Sequence, residues 1–589
     1  MLFFPPNWTP SMPHLALPTL AGYLRRAGIE VIQRDLNAEV FDRVLTRDFA
    51  LDSLARLEQL RLRPRPDGPS SRMLAWAEKN GPLIVEEVEA AKALIRSEAF
   101  YDGPTSLPAF ETTIAALQLA SLPYHPSALE LQTYHSAHRP DSSRSIRRAV
   151  DDRERNMFID LFAELALPEI AREDPDVVGI SIPSVNQVIA ALTLARLVKR
   201  AGLRAHVTIG GPMVSIWREQ LPAATAMFDL IDSAVVFDGE EPLRQLCRAL
   251  ERGEPLAQVP NLIYRDGIYR DRIYRDGETI RVTPRKEQTK IAEVPPPDFD
   301  GLPLDRYLAP ELVLPMAMAR GCYFGKCAFC NVGYGEASAY SQLQGEAVLN
   351  EMLRLGDRHG SRRIFLVDEA MPPRLVRDLG PRLAQLGTPL QWGGCMRFEK
   401  ALSRDLLSAA RQGGCAMILF GLETASQRVM EVMVKGTRLE NIRRILQESH
   451  DVGIWNHTFF FFGFPGETMD DAQETANFVF ENGELINSAS MGTFLLERYA
   501  PAHTYPSAFG ITRIIDNADA DLAFYFDYEV ASGMDQATAE LVASRFEEAL
   551  PRKQFPQFYV SDVYRFLYAC HLSEHHATMP PWIGEAAVV

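Results

Sequence analysis

The chain has 589 residues, of which 47% are hydrophobic and 23% charged, and a formal net charge of −16. This length predicts two to four domains. The negative charge argues against broad binding to nucleic acid or an anionic membrane, and no apolar stretch is long enough to span a bilayer. Seven cysteines, three of them close together, do not suggest a disulfide framework, so we predict a cytoplasmic protein without a signal peptide.

The first part of the chain, 1–255, predicts a Rossmann-like α/β domain with a helical insertion at about 45–150. Helices alternate with strands predicted at 2–4, 29–32, 177–183, 206–209 and 233–237. A parallel sheet of this kind binds ligands at the carboxyl ends of its strands. Small residues at three of those ends, Ser181, Gly210 with Gly211, and Gly239, fit a large flat ligand, although tight strand–helix packing is an alternative. We interpret the insertion as a helical cap.

Residues 256–310 predict a linker with a small β element, because an Ile-Tyr-Arg-Asp repeat between 263 and 277 is typical of hairpin turns. From 311 to 505, alternating strands and helices predict a partial (β/α)6 barrel that functions at the carboxyl ends of its strands. The strands are predicted at 312–317, 363–367, 390–395, 417–420, 457–462 and 491–496.

Polar residues follow successive strands of the predicted barrel, and we expect them to share one mouth. Asp368 and Glu369 follow the second strand, Arg397 the third and Glu423 the fourth. Glu497 and Arg498 follow the sixth strand, but each taken singly is better interpreted as a surface charge. The last region, 506–589, predicts a mostly helical domain that covers the substrate; a zinc site at its Cys570, His571, His575 and His576 is disfavoured.

Three cysteines lie on the loop after the first barrel strand. Cys322, Cys327 and Cys330 form a C-x4-C-x2-C array. Closely spaced thiolates suit a soft metal or an iron–sulfur cluster, and three of them leave a four-iron cluster with one iron free to bind another ligand. The spacing alone leaves open a structural zinc site with a distant fourth ligand, or three unrelated core cysteines.

Taken together, the chain resembles the cobalamin-binding radical S-adenosylmethionine (SAM) enzymes, of the class B methyltransferase type, over nearly its whole length. Two departures stand out: the family's usual array is C-x3-C-x2-C, and the Asp-x-His-x-x-Gly motif of other cobalamin proteins is absent. The motifs that carry the resemblance are the cysteine loop 321–330, Gly421-Leu422-Glu423-Thr424, Lys435-Gly436-Thr437, Gly463-Phe464-Pro465-Gly466-Glu467-Thr468, Pro5-Pro6, Asp35-Leu36-Asn37, Gly210-Gly211 and Gly239-Glu240-Glu241.

The resemblance implies three cofactors: a 4Fe-4S cluster, SAM and cobalamin, which together supply radical chemistry that side chains lack. It implies that Cys322, Cys327 and Cys330 hold the cluster. The residues implied for SAM are Phe329, Glu369, Arg397 and Glu423. The residues implied for cobalamin are Pro6, Asn7, Ser181, Ser184, Gly210, Gly211, Gly239 and Glu240.

The function implied is methylation of an unactivated sp3 carbon of a natural-product intermediate, either a small molecule or a peptide. One alternative is a rearrangement, oxidation or cyclisation without methyl transfer, and another is a non-catalytic cobalamin- or metal-binding regulator. The resemblance also implies an external electron donor of the flavodoxin or ferredoxin type. We expect a monomer without nucleic-acid or membrane partners.

Overall fold

The computed structural model describes residues 1–266, 279–335, 340–549 and 561–575. It divides into two compact units. The first comprises residues 1–289, 293–310 and 517–523; the second comprises 290–292, 311–516 and the described residues from 524 onward. A short piece of the predicted C-terminal domain, 517–523, therefore belongs to the first unit. Within the described ranges, no helix is both long and apolar enough to cross a membrane.

The first unit is an α/β domain with nine strands and eleven α-helices in its described part. The strands are β1 (Leu2–Phe4), β2 (Gln33–Asp35), β3 (Ala128–Leu129), β4 (Tyr134–His135), β5 (Val177–Ser181), β6 (His206–Gly210), β7 (Ser233–Val235), β8 (Leu262–Arg265) and β9 (Ile280–Val282). The helices are α1 (Ala16–Arg26), α2 (Leu36–Val44), α3 (Arg47–Leu62), α4 (Ser71–Ile95), α5 (Gly103–Ser121), α6 (Ser143–Ala149), α7 (Phe158–Leu165), α8 (Leu167–Glu173), α9 (Val188–Arg200), α10 (Pro212–Ile216) and α11 (Glu240–Arg252).

The main sheet of the first unit confirms the Rossmann-like prediction. Its strand order is β2-β1-β5-β6-β7-β8-β9, and the first five strands are parallel. In chain order these five are arranged 2-1-3-4-5, the flavodoxin-like form of the doubly wound fold. The order reverses between β1 and β5, and a crevice at such a switch point is where these sheets bind ligands.

The second strand was predicted at the wrong place. The apolar run 29–32 is not a strand. The strand β2 begins just after it, at Gln33, which pairs with Leu2 of β1. These buried polar side chains are tolerated because distant residues pair with the Gln33 amide N–H groups and with the Asp35 carboxylate. Gln33 donates to the carbonyl of Asp298 (2.7 Å), and the Asp35 carboxylate accepts from Tyr307 (2.7 Å).

Residues 256–310, predicted as a linker with a small β element, contain β8 and β9. These antiparallel strands extend the edge of the main sheet beyond β7. The Tyr-Arg-Asp repeat that predicted hairpin turns falls mostly at 267–278, outside the described residues. The insertion at 45–150 is helical as predicted, with α3 to α6, and it adds the β3–β4 hairpin.

The second unit begins with the barrel-like segment. Its strands are β10 (Val313–Met316), β11 (Ala319–Arg320), β12 (Ser341–Gln342), β13 (Arg363–Leu366), β14 (Gln391–Met396), β15 (Cys415–Glu423), β16 (Trp455–Phe462), β17 (Ser488–Thr493), β18 (Leu496–Glu497), β19 (Ile511–Ile515) and β20 (Tyr525–Val530). Its helices are α12 (Gly345–His359), α13 (Pro373–Leu386), α14 (Arg404–Gln412), α15 (Gln427–Val432), α16 (Leu439–Asp451), α17 (Met469–Glu481), α18 (Pro501–Thr504), α19 (Gln536–Ala549) and α20 (Asp562–Glu574).

Six parallel strands follow one another in chain order, β10-β13-β14-β15-β16-β17, with helices between them. This is the arrangement that a partial (β/α)6 barrel requires. Only the sixth strand differs clearly from the prediction at 491–496. It ends at Thr493, and Leu496 begins β18, a strand of a separate antiparallel sheet with β20 and β19 that the sequence did not predict.

The last described helix, α20, packs on one face of the six-stranded sheet. We call this the inner face; it carries Phe365 and His457. The Phe365 ring meets Phe566 of α20 at 5.4 Å between centroids. On the opposite face, Phe460 packs against Phe546 of α19. Part of the region predicted to cover the substrate thus lies against the sheet itself.

Candidate functional site

The start of the cysteine loop is fixed by a carboxylate from the neighbouring strand. Asp368, directly after β13, accepts hydrogen bonds from the backbone N–H groups of Met318 (3.0 Å) and Ala319 (2.6 Å). Its side chain is buried, and burial raises the pKa of the carboxyl to about 7. Asp368 therefore holds the backbone that leads into the first cysteine.

Arg397, after β14, holds the middle of the same loop. Its Nη1 lies 3.4 Å from Cys327 Sγ, and its guanidinium lies 3.6 Å from the centre of the Phe324 ring. Nε donates to Glu399 at 3.0 Å, and Nη2 donates to the carbonyl of Lys435. Arg397 is a predicted SAM ligand; its donors are engaged with the protein here, and the SAM contact stays a prediction.

The ends of β15 and β16 reach the last part of the loop. Lys435, which is buried, donates to Glu423 at 2.7 Å and lies 5.7 Å from the centre of the Phe329 ring. Phe329 also meets Phe461 of β16 edge to face, with 5.4 Å between centroids. Side chains from four strands, β13 to β16, thus converge on the cysteine loop. Their predicted meeting at one mouth is confirmed.

Two further carboxylates lie near this mouth. Glu369, next to Asp368 in the chain, is exposed. Glu497 was interpreted as a surface charge, yet it is only partly exposed, and burial, together with the charge of Glu369, raises its pKa to about 7. The roles predicted for Phe329, Glu369 and Glu423 at SAM remain predictions.

The donor set fits an iron–sulfur cluster better than a single metal ion. Cys322, Cys327 and Cys330 are free thiols and all are partly exposed. Among the described residues, no three His, Cys, Asp or Glu side chains are placed to hold one metal ion. Cluster ligands bind separate irons and need no such convergence.

In the first unit, the residues predicted for cobalamin lie along one edge of the sheet. Pro6 and Asn7 follow β1, Ser181 ends β5 with Ser184 close behind, Gly210 ends β6 with Gly211 next, and Gly239 and Glu240 begin α11 after β7. Since β1, β5, β6 and β7 are parallel, these positions share the carboxyl edge.

The switch point carries an unsatisfied acceptor that fits a ligand. Asn7 is 1% exposed, and its Oδ1 meets no hydrogen-bond donor in the described part of the chain. Buried acceptors are almost always paired, and the amide groups around the rim of cobalamin are suitable donors. Gly211 has a different explanation: at φ +104°, a Cβ there would lie 2.9 Å from the carbonyl oxygen of Ile182. Packing alone therefore requires that glycine.

The helical insertion reaches this edge through the turn of its hairpin. Asn7 Nδ2 donates to the carbonyl of Glu130 (2.7 Å), and Asn186 Nδ2 donates to that of Gln132 (3.4 Å). These two hydrogen bonds support the interpretation of the insertion as a cap. Asn186 and the turn were missed from the sequence because their partners lie more than 50 residues away.

Phe324 and Lys435 were also missed as parts of the cysteine-loop site. Lys435 stood in the Lys-Gly-Thr motif, but only the fold shows that it pairs with Glu423. Phe324 lies within the cysteine array, and its ring packs so closely on Gly436 that a Cβ there would lie 2.7 Å from it. An aromatic residue between the cysteines was the available signal.

The fold and the two sites define a two-domain protein with a cobalamin-type doubly wound domain and a (β/α) domain with a thiolate loop. Comparison with known families agrees: residues 146–247 match the B12 binding domain, and residues 316–479 match the Radical SAM superfamily. The chain therefore has the domain composition of the cobalamin-binding radical SAM enzymes, which confirms the resemblance. The cofactors predicted, a 4Fe-4S cluster, SAM and cobalamin, are those of these two domains.

Individual relatives and structures agree with this assignment. An uncharacterised methyltransferase of Pyrococcus horikoshii is 27% identical over 52% of this chain and 65% of its own length. The tryptophan 2-C-methyltransferase of Streptomyces laurentii is 27% identical over 30% of this chain and 32% of its own. The chain thus spans less than two thirds of either relative. The structure of the radical SAM methyltransferase TsrM from Kitasatospora setae has the same fold, with a TM-score of 0.56 and 14% identity over 98% of this chain and 99% of that one.

Proposed function

We propose that the protein is a cobalamin-dependent radical SAM methyltransferase that methylates carbon, with an sp3 carbon of a biosynthetic intermediate as its target. One observation carries the proposal: a cysteine loop held by side chains that follow β13 and β14 lies in the same chain as a doubly wound sheet whose switch point has a buried acceptor, Asn7 Oδ1, without a donor among the described residues. The names of the two methyltransferase relatives favour methyl transfer. Bound together, the three cofactors supply a radical and a transferable methyl group.

The chain's own residues give each part of the site a task. Asp368 and Arg397 orient the backbone and one thiol of the cysteine loop, so that Cys322, Cys327 and Cys330 are presented together. Lys435 neutralises Glu423 beside Phe329. Burial raises the pKa of the Cys327 thiol, and the positive charges of Lys435 and Arg397 beside it oppose that shift, so they favour the anionic form that holds iron.

The test is anaerobic reconstitution with iron, sulfide and hydroxocobalamin, followed by incubation with a reductant and SAM that carries a deuterated methyl group. Tryptophan, the substrate in the name of one relative, is the first candidate for carbon methylation. A panel of biosynthetic intermediates with unactivated sp3 carbons follows, because the ring carbons of tryptophan are sp2. Mass spectrometry should find a product that has gained the deuterated methyl group, and none when cobalamin is omitted. A product without the label, formed with cleavage of SAM, would favour the rearrangement, oxidation or cyclisation alternative instead.

Reduction of the cluster needs an electron source. We propose a small flavodoxin- or ferredoxin-type donor and a monomeric enzyme that acts on a small-molecule or peptide natural product. Turnover with purified flavodoxin and its reductase, compared with a chemical reductant, tests the donor; light scattering tests the oligomeric state. A dimer in solution, or no turnover with either class of donor, would overturn the corresponding part of the proposal.

A further inference from the structure

Helix α20 carries an ion pair on the inner face of the second unit's sheet. Arg565 Nη1 lies 2.9 Å from Oδ1 of Asp562, which is one helical turn earlier. The same Nη1 also donates to Ser490 of β17 at 3.0 Å. At the other end of the helix, Glu574 pairs with Arg363 at the first position of β13. The helix therefore runs opposite to the strands, and its amino-terminal turn lies beside the third residues of β16 and β17, His457 and Ser490.

The polar groups around this ion pair are not all satisfied by the described part of the chain. The side chain of Arg565 is 13% exposed, and its buried Nε–H meets no acceptor among the described residues. His457 is fully buried, and its Nε2 lies 3.9 Å from Asp562 but has no hydrogen bond within the described chain. Two buried, unpaired groups at one place are uncommon in a folded protein and indicate that a further molecule completes the site.

The unpaired edge of a guanidinium selects a particular chemistry. Its parallel N–H groups match the two oxygens of a carboxylate, which a neutral amide cannot imitate. The first backbone N–H groups of α20 add partial positive charge on the same side. The neighbouring surface is aromatic: Phe459 lies edge to face with His457 at 4.7 Å, and Phe365 lies against Phe566.

We propose that Arg565 binds a carboxylate carried by an apolar or aromatic substrate, and that Asp562 holds the guanidinium in place until the substrate arrives. This subsite rests on the proposed function, since it names part of the substrate of that reaction. SAM also has a carboxylate, but the residues predicted for SAM, namely Phe329, Glu369, Arg397 and Glu423, lie on the cysteine loop or at the ends of β13, β14 and β15. The inner-face subsite therefore takes the carboxylate of the substrate.

The test uses two probes of equal shape, 3-phenylpropionate and 3-phenylpropionamide. Calorimetric titration of the anaerobically reconstituted holoenzyme, with SAM present, should show the carboxylate binding at least about 10-fold more tightly than the amide. Arg565→Gln removes this preference, and Arg565→Lys retains only part of it, because a lysine offers no planar fork. Arg404→Gln, which breaks an exposed ion pair with Asp451, leaves both affinities unchanged.

Asp562→Asn separates a binding role from a structural one. Removing the competing carboxylate frees the guanidinium, so the affinity for 3-phenylpropionate should rise about threefold or more while that for the amide stays constant. If the ion pair only stabilised the fold, both Asp562→Asn and Arg565→Gln would weaken or leave unchanged every affinity. A rise in the affinity of Asp562→Asn for 3-phenylpropionate is thus expected only from a binding role, and it can be measured even if Arg565→Gln folds poorly.

Three results would overturn the subsite: equal affinities for the two probes, no binding of either, or an unchanged preference in Arg565→Gln. Tight binding of 3-phenylpropionate without SAM that is lost when SAM is present would assign the carboxylate to SAM and overturn the assignment to the substrate. Cleavage of SAM to 5′-deoxyadenosine, measured in the same preparations, reports on the proposed function separately. A preparation that cleaves SAM but lacks the carboxylate preference refutes the subsite alone, and the reverse refutes only the function.

Discussion

Removal of the Asp368 carboxylate should loosen the cysteine loop and lower its capacity for iron. In Asp368→Ala, the backbone N–H groups of Met318 and Ala319 lose their acceptor in a buried place. Each unsatisfied buried donor costs about 1–3 kcal/mol, so the two together cost about 2–6 kcal/mol. Asp368→Asn retains Oδ1, which accepts from both N–H groups, and should therefore lose much less.

The comparison needs two measurements on each variant. Urea unfolding of the apoprotein gives the free energy of unfolding, and iron and sulfide analysis after reconstitution gives the cluster content. We expect both to fall in the order wild type, Asp368→Asn, Asp368→Ala, with Glu474→Ala on the exposed face of α17 as an unchanged control. Wild-type stability together with full iron content in Asp368→Ala would refute the role assigned to this carboxylate.

Three further outcomes are expected. Cys327→Ala should lose cluster absorbance and SAM cleavage, whereas Cys247→Ala in the other unit should keep both; retained cleavage in the former would contradict the cluster assignment. Asn7→Ala should weaken hydroxocobalamin binding about 10-fold in an absorbance titration, through the loss of about one hydrogen bond, with iron content unchanged. Burial raises the pKa of Asp35 to about 6. The folded state therefore binds this proton more tightly than the unfolded chain, and stability falls as pH rises from about 4 to about 6. Asp35→Asn cannot ionise, so its free energy of unfolding relative to wild type should rise over that window by up to about 3 kcal/mol; a constant difference would contradict the shift.

The repeating architecture was predictable because it follows from local patterns of hydrophobic and polar residues in the sequence. Apolar runs followed by amphipathic helices identified all six parallel strands of the second unit, five of them close to their observed positions in the chain. Glycines and capping residues marked the ends, as with Ser403, which accepts from Leu406 at the start of α14. Chain order then suffices, because consecutive βα units place neighbouring strands side by side.

What the sequence did not reveal depends on partners far away in the chain. β2 uses Gln33 and Asp35 rather than the apolar run before them, because residues near 300 accept from the Gln33 amide group and donate to the Asp35 carboxylate. The small sheet of β18, β19 and β20 is short and mostly exposed, so it has little hydrophobic pattern to predict it. Helix α20 reads as an ordinary aromatic helix, and nothing local indicates that its ion pair lies against the inner face.

The location of the site could be predicted from the sequence, but the role of each residue in it could not. The polar residues at the strand ends were identified as a group because parallel strands bring their carboxyl ends together. Their individual roles require the contacts. Asp368 and Arg397 support the cysteine loop, and Lys435 balances Glu423, so much of the charge predicted to meet SAM already has a partner within the protein.

The unusual spacing of the cysteine array has a local structural explanation. Gly325 adopts the left-handed conformation at φ +59°, which glycine occupies without the steric penalty of a side chain. Just before it, Phe324 stacks under Arg397, which in turn reaches Cys327. A tight turn beside an anchored aromatic ring takes up one residue while the second cysteine stays held from β14. Four intervening residues are therefore compatible with a loop that presents all three thiols together, and the departure from the family's usual spacing does not weigh against a cluster.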